Sequence, residues 1–318
     1  MFPPQAWGTV IASCAAIVFA YACPQDLRNT AALAVWVAWT AVMVRMFLFH
    51  LGLLLVLVAG AAALTRRWRL LAATGPLLLF TLGPAAWSYA PRKRPLAAGE
   101  TITVMTVNLL HANQNAPALA AEYPHARYVR RADSFGLAIY SRRPFIGPVD
   151  PTLPLGNAGT PQIRAVVEIA DCDVAFYNIH TLPPRNLAFT TEQRLEIADL
   201  LNLLKREKLP VVLCGDFNFT GASPYADELR RLGLRDVHRL SGRGRGATWP
   251  VLSFFRALPG IRLDHIYLSK ELTSPSSHTG VGRGSDHRPI IADIGFVASP
   301  IGGGHEMPTS ERAASEVE

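Results

Sequence analysis

The chain has 318 residues, 50% of them hydrophobic and 17% charged, with 31 Lys/Arg against 24 Asp/Glu and a formal net charge of +7. That length holds one ordinary domain with a sizeable core and something further. Residues 1–100 carry eight Lys/Arg and two acids, whereas residues 298–318 carry one and four, so the basic surplus is largely N-terminal and argues against a broad nucleic-acid-binding face. The four cysteines, Cys14, Cys23, Cys172 and Cys214, show no zinc spacing and read as small buried hydrophobes.

Residues 1–90 are predicted to form a membrane anchor. Trp7–Cys23 is uncharged and apolar, and a second apolar stretch runs from Ala31 to Leu64, broken only by Arg45 and His50. Its end, 46–64, and the later run 70–90 each approach the roughly 20 residues a helix needs to cross the hydrocarbon. Three crossings are expected. Residues 31–45, rich in Trp and Ala, could instead lie in the interface. A cleaved signal peptide lacks support because no positive segment precedes residue 7. Arg66, Arg67 and Arg69 favour a cytoplasmic loop and hence an outward C-terminal domain, against the vote of Arg92, Lys93 and Arg94. The expected location is a multi-pass protein of the bacterial inner (cell) membrane, with a periplasmic or extracellular domain.

Residues 91–100 read as a basic linker opened by Pro91. Short strand-like runs follow at 101–108, 136–141, 162–169, 173–180, 210–215, 262–269 and 289–296. A helix is predicted over 191–208, with a capping box from Thr190 and Gln193. A shorter one is expected over 224–232, with Ser223 as N-cap and Gly233 as stop. Strands mixed with helices give an α/β (α+β) domain over 101–297. The tail 298–318, glycine-rich and then acidic, is expected to be disordered.

Polar residues gather at the strand ends: Asn108, His180, Asp216 with Asn218, Asp264 with His265, and Ser285-Asp286-His287. Each alone is an ordinary turn former or hydrogen-bonded residue. Imidazoles, amides and acids at the ends of successive apolar strands point instead to one shared polar site.

The ordered series Val-Asn-Leu, Gly-Leu-Ala-Ile-Tyr-Ser-Arg-Arg-Pro, Tyr-Asn-Ile-His-Thr, Gly-Asp-Phe-Asn, Thr-Trp-Pro, Leu-Asp-His-Ile and Ser-Asp-His-Arg-Pro resembles the endonuclease/exonuclease/phosphatase superfamily, in a membrane-anchored bacterial branch. The resemblance implies a four-layer α/β/β/α sandwich of two β-sheets with the site at one end. It implies a phosphoester hydrolase, acting as phosphodiesterase, phosphatase or nuclease, that uses Mg2+ or Mn2+. By the same resemblance Asn108 and Asp286 sit by the metal and His287 contacts the scissile phosphate, oriented by Asp264. Asp216 positions or deprotonates the attacking water, Asn218 holds the phosphate, and His180 acts on phosphate or leaving group. The implied partners are a phosphoester substrate (phospholipid, nucleotide or nucleic acid) and the lipid bilayer, with no protein partner evident. Arg142, Arg143, Arg243 and Arg245 lie in loops that could hold phosphate or simply be solvated.

One element of the family pattern is missing. A metal-binding Glu is expected between the first Asn motif and Gly136, but the chain reads as if a core strand and part of a helix were deleted between Asn113 and Ala116. Glu122 is the only glutamate between Thr101 and Glu168, and it falls on an expected helix end. The alternative reading is therefore a catalytically impaired relative that binds or scaffolds.

Overall fold

The computed structural model describes residues 5–23, 25–109, 121–251, 259–282 and 284–298. The gap expected between Asn113 and Ala116, and the tail from Ser299 onward, lie outside these residues.

Four helices come first: α1 (Gln5–Ala22), α2 (Ala32–Met46), α3 (Leu48–Leu64) and α4 (Trp68–Trp87). α1 and α4 are long and apolar enough to cross a membrane, and α2 with α3 passes the same test as a pair bent by 62°. At 15 residues α2 is roughly 22 Å long, short of a hydrocarbon core of about 30 Å. It lies instead against the C-terminal domain. Val42 and Met46 belong to that domain's core. Arg45 is buried, donating to Ala222 O and pairing with Asp227.

The domain contains β1 (Ala97–Thr106), β2 (His125–Val129), β3 (Leu137–Ser141), β4 (Ile163–Ile169), β5 (Cys172–His180), α5 (Leu187–Arg206), β6 (Val211–Asp216), α6 (Pro224–Arg231), β7 (Arg235–Asp236), α7 (Val237–Leu240), β8 (Asp264–Leu268), β9 (Leu272–Thr279) and β10 (Ile290–Val297). A five-stranded sheet runs β4-β5-β6-β8-β7, and a three-stranded sheet runs β1-β10-β9. β2 and β3 form a separate hairpin. The two main sheets face each other across Phe176, Val212 and Ile266 on one side and Ile290, Ala292 and Ile294 on the other. Each such side chain contributes about 1.5–3 kcal/mol through burial. On its other face the large sheet packs on α5, α6 and α2 through Ile179, Leu213, Ile197, Leu200, Leu229 and Val42. The two stacked sheets with a helical layer are the α/β sandwich that the sequence led us to expect. Among the described residues no helix covers the outer face of the small sheet, where Met105 is 40% exposed.

Several boundaries differ from the sequence reading. Strand β1 starts at Ala97, inside the expected linker, because Ala97 and Ala98 pair with Val297 and Phe296. The stretch expected to end a helix near Glu122 is an exposed turn leading into β2. Helix α5 begins at Leu187, capped by the Asn186 side chain accepting from Phe189 N. Thr190 and Gln193 are buried inside it, so the expected capping box does not form. Strand β9 (LTSPSSHT) goes unseen in the sequence because its serines and Pro275 mask strand character.

Candidate functional site

Strand register assembles the site. His180 ends β5 and pairs with Asp216 at the end of β6; Asp216 in turn pairs with Asp264 at the start of β8. Register partners on adjacent strands point to one face. The three side chains therefore form a row on the face turned toward the small sheet. From that sheet come Asn108, two residues past β1, and His287, just ahead of β10. The site thus spans both sheets at one end of the sandwich.

Gly215 makes this register possible. Its φ is +137°, and a Cβ there would lie 1.8 Å from Ile179 O. Only glycine admits that approach. Asn218 takes a left-handed backbone (φ 50°), its N–H donates to Asp216 Oδ1 at 3.0 Å, and its Nδ2 donates to Thr181 O at 2.8 Å. The Gly-Asp-Phe-Asn turn thereby fixes the Asp216 carboxylate from below.

Around Asp216 Oδ2 three nitrogens converge: Asn108 Nδ2 at 2.9 Å, His180 Nε2 at 3.7 Å and His287 Nε2 at 3.8 Å. Burial pushes the Asp216 carboxyl up, but His180, His287 and the two hydrogen bonds outweigh it and hold it below the usual carboxylate range. Burial, then the neighbouring Asp216 charge, pushes the Asp264 carboxyl up against its bonds from His287 and Thr248. Burial alone would lower the His287 imidazole. Its bond to Asp264, then the charges of Asp264, Asp216 and Asp286, carries it up to about 9. At neutral pH His287 is an imidazolium whose Nδ1–H donates to Asp264 Oδ2 at 2.7 Å.

Gln162 was not singled out by the sequence, yet it clamps His180: its Oε1 accepts from His180 N at 2.7 Å and its Nε2 donates to His180 O at 3.0 Å. Trp249, in the Thr-Trp-Pro motif, donates from Nε1 to Asp286 Oδ2 at 3.1 Å. The other half of the Asp-His dipeptide leaves the site. Strand alternation turns His265 to the opposite face, where Nε2 meets Phe219 O at 2.9 Å and Nδ1 meets Asp236 Oδ2 at 3.3 Å. Two of the loop arginines are also occupied elsewhere. Arg143 pairs with Glu100 and donates to Glu168 O; Arg245 stacks on Phe49 at 3.6 Å and donates to Gly260 O.

Asp216, Asp264 and His287 offer ligand atoms all within 4.8 Å of one another, and Asp264 Oδ1 is buried with no hydrogen-bond partner. The two hard carboxylates, one of them with an orphaned oxygen between the sheets, fit a divalent cation, with His287 beside them as a hydrogen-bond donor. Asn108 and Asp286 adjoin this group, the first through its bond to Asp216 and the second through its charge on His287.

The family model "Endonuclease/Exonuclease/phosphatase family" matches residues 103–287, more than half the chain. No curated protein matches the sequence. Among solved structures, an endonuclease/exonuclease/phosphatase from Beutenbergia cavernae is 19% identical with a TM-score of 0.46, the match covering 64% of each chain. Our chain therefore spans about 64% of that protein's length. A humanized D. rerio TDP2 is 17% identical with a TM-score of 0.48, over 62% of this chain and 99% of that one. The mannosyl-6-phosphatase Bt3783 of Bacteroides thetaiotaomicron is 17% identical with a TM-score of 0.45, over 61% and 100%. At these identities the likeness concerns the fold.

Proposed function

Because the chain belongs to the endonuclease/exonuclease/phosphatase family, whose members are phosphoesterases, nucleases and phosphatases, we propose that it is a membrane-anchored, metal-dependent phosphoester hydrolase. The observation that carries this reading is the convergence of His180, His287 and Asn108 on one buried carboxylate oxygen of Asp216.

In this reading Asp216 orients the attacking water, since its neighbours keep it ionised, and so a hydrogen-bond acceptor, at neutral pH. The His287 imidazolium, backed by Asp264, donates Nε2–H to a phosphoryl oxygen as negative charge builds there. Asn218 and Asn108 hold the phosphate and the carboxylate in register. His180, whose backbone is held by Gln162, delivers a proton to the leaving oxygen. Water oxygen bonds to phosphorus, the ester P–O bond breaks, and the proton lost by water balances the one gained by the leaving group. Asp216, Asp264 and Asp286 would hold Mg2+ or Mn2+, with Asn108 beside them, and the cation supplies charge neutralisation at the phosphoryl oxygens. In this reading the anchor lies in the bacterial cell membrane with the domain on the outer side.

Full-length protein in detergent is expected to hydrolyse a chromogenic aryl phosphodiester with added Mg2+ or Mn2+, and Asp216→Asn to remove that activity. Equal rates for the two proteins would end this reading. The scaffold alternative draws on one feature: Glu122, the one glutamate available to replace the missing ligand, is exposed in a turn. Calorimetry separates the two, because tight Mg2+ binding contradicts a scaffold that has lost its metal.

A further inference from the structure

The helical third touches the domain at three loops, and all three belong to the catalytic end. Thr181–Asn186 follows His180, and there Trp39 Nε1 donates to Pro184 O at 3.0 Å. The 217–223 turn follows Asp216, and there Arg45 reaches Ala222 O. Residues 242–262 lead into Asp264, and there His50 Nε2 meets Pro259 O at 2.7 Å and Ser88 O accepts from Gly244 N at 2.9 Å. Arg194 and Arg28 extend the dock along α5, the first to Ala34 O at 3.1 Å and the second to Asp199 at 2.6 Å. The opposite end of the sandwich carries the β4–β5 turn at 170–171 and the β8–β9 turn at 269–271. Neither appears in any of these contacts.

Topology fixes which ends of the helices lie at this dock. The end of α1, the start of α3 and the end of α4 all meet the domain side, while the α3–α4 turn with Arg66, Arg67 and Arg69 lies at the far end. Three crossings, α1, α3 and α4, then place α2 between two of them, along the surface. Its outward residues Leu33 (77% exposed) and Trp36 (53%) join Phe47, Trp87 and Tyr89 as an uncovered aromatic and apolar belt on the domain side. Such belts mark the headgroup level of a bilayer.

We propose that α2 is an interfacial docking helix that lies on the bilayer and holds the catalytic end of the sandwich against that leaflet. The substrate is accordingly a phosphoester carried by a membrane lipid, entering from the headgroup layer. This substrate class rests on the hydrolase reading above. A cleft of about 510 Å3 beside His180 suits such a ligand: Phe135, whose ring centroid lies 4.9 Å from that of His180, lines it with Leu182, Ala188 and Phe189. Its wall residues Leu182 and Ala188 flank the very loop that Trp39 grips. Arg131, Asp133 and Glu192 share the wall of this cleft, and water cleaves the lipid's P–O ester bond beside it, at Asp216 and His287 as written above, leaving the apolar part in the bilayer.

The test uses full-length protein in phosphatidylglycerol/phosphatidylcholine vesicles with Mg2+. Headgroup release from vesicle lipid is compared with hydrolysis of the matching water-soluble glycerophosphodiesters and of a chromogenic diester. The expected result is at least tenfold faster turnover of the vesicle lipid, and a vesicle-to-soluble rate ratio that falls at least fivefold in Trp36→Glu. Hydrolysis of the soluble esters without the lipid overturns this inference and leaves the hydrolase standing; no hydrolysis of any overturns both. Independently of turnover, a fluorescent amino acid at position 185 should be quenched by headgroup-labelled lipid several-fold more than one at position 270. Stronger quenching at 270 overturns the orientation whatever the rates.

Discussion

Two buried Asp–His pairs sit back to back across strand β8, and their contrast separates chemistry from scaffolding. On the face toward the small sheet, Asp264 holds His287 at 2.7 Å beside a second carboxylate, Asp216, and keeps one oxygen unpartnered. On the opposite face, Asp236 meets His265 at 3.3 Å, but the Arg262 guanidinium joins it with two hydrogen bonds. Burial there is overcome by Arg262, then by His265, and the Asp236 carboxyl falls well below the usual range. The second cluster is balanced in charge and closed. The first carries an excess of carboxylate and an open acceptor. Residue types are nearly the same, so it is the charge inventory that distinguishes them: a closed cluster stabilises the fold, and an unbalanced one can take up a cation and a phosphate.

The largest expected effect breaks the open cluster. Asp216→Asn should lower kcat/KM on the chromogenic diester by about 10^3-fold, the scale of losing a positioned acid–base group. Its thermal midpoint should fall modestly, since His180, His287 and two hydrogen bonds favour the Asp216 carboxylate more than burial opposes it; a loss of rate no larger than the loss of folded protein would place Asp216 among the structural carboxylates. Breaking the closed cluster should do the reverse. Arg262→Met leaves Asp236 buried without its cation and should cost about 3 kcal/mol in denaturant unfolding, with rate per folded molecule retained. If activity fell more than stability, the two faces of β8 would not be separable.

A fourth buried carboxylate sharpens the rule. Glu196 on α5 has neutral partners only, Thr160 Oγ1 at 2.7 Å and Leu182 N at 2.8 Å, and burial carries its carboxyl up to about 7. The folded state binds this proton more tightly than the unfolded one, so its contribution to stability is present below about pH 4 and is lost as pH rises through about 7. The unfolding free energy should therefore decline from pH 5 to pH 8 by roughly 2 kcal/mol, and Glu196→Gln should flatten that decline. An unchanged slope would remove Glu196 as its source. The smallest effect concerns support of the open cluster: Trp249→Phe removes the indole donor to Asp286 and should weaken Mg2+ affinity about tenfold by calorimetry, the usual scale for a partner that orients a ligand.

Much of the site was legible because strand ends in a sandwich converge by construction. His180, Asp216, Asp264, His287 and Asn108 each follow or precede an apolar run, and the structure brings all five together. Gln162 was not legible, since its two bonds to the His180 backbone exist only once β4 and β5 are in register. Period-two alternation alone could have turned His265 away from Asp264. Helix α5 misled in a similar way. Its expected start at Thr190 with a capping box lies inside the helix, and on its flank the charged Arg194 is fully buried while Leu195 is only partly so. The reason is α2, which covers a second flank of α5, and Arg194 donates to Ala34 O there and to Asp26 O ahead of it.

The sequence by itself determined the class of the domain, the apolar spans and the inventory of chemical groups, because each follows from local composition, from hydropathy period or from a short motif. Only the tertiary structure decided which groups meet. Register set His180, Asp216 and Asp264 in one row, and pairing with Arg262 assigned one Asp–His pair to the scaffold. The 62° bend between α2 and α3 laid α2 along the domain. These outcomes depend on contacts between residues from 26 to more than a hundred positions apart, and no local pattern encodes them.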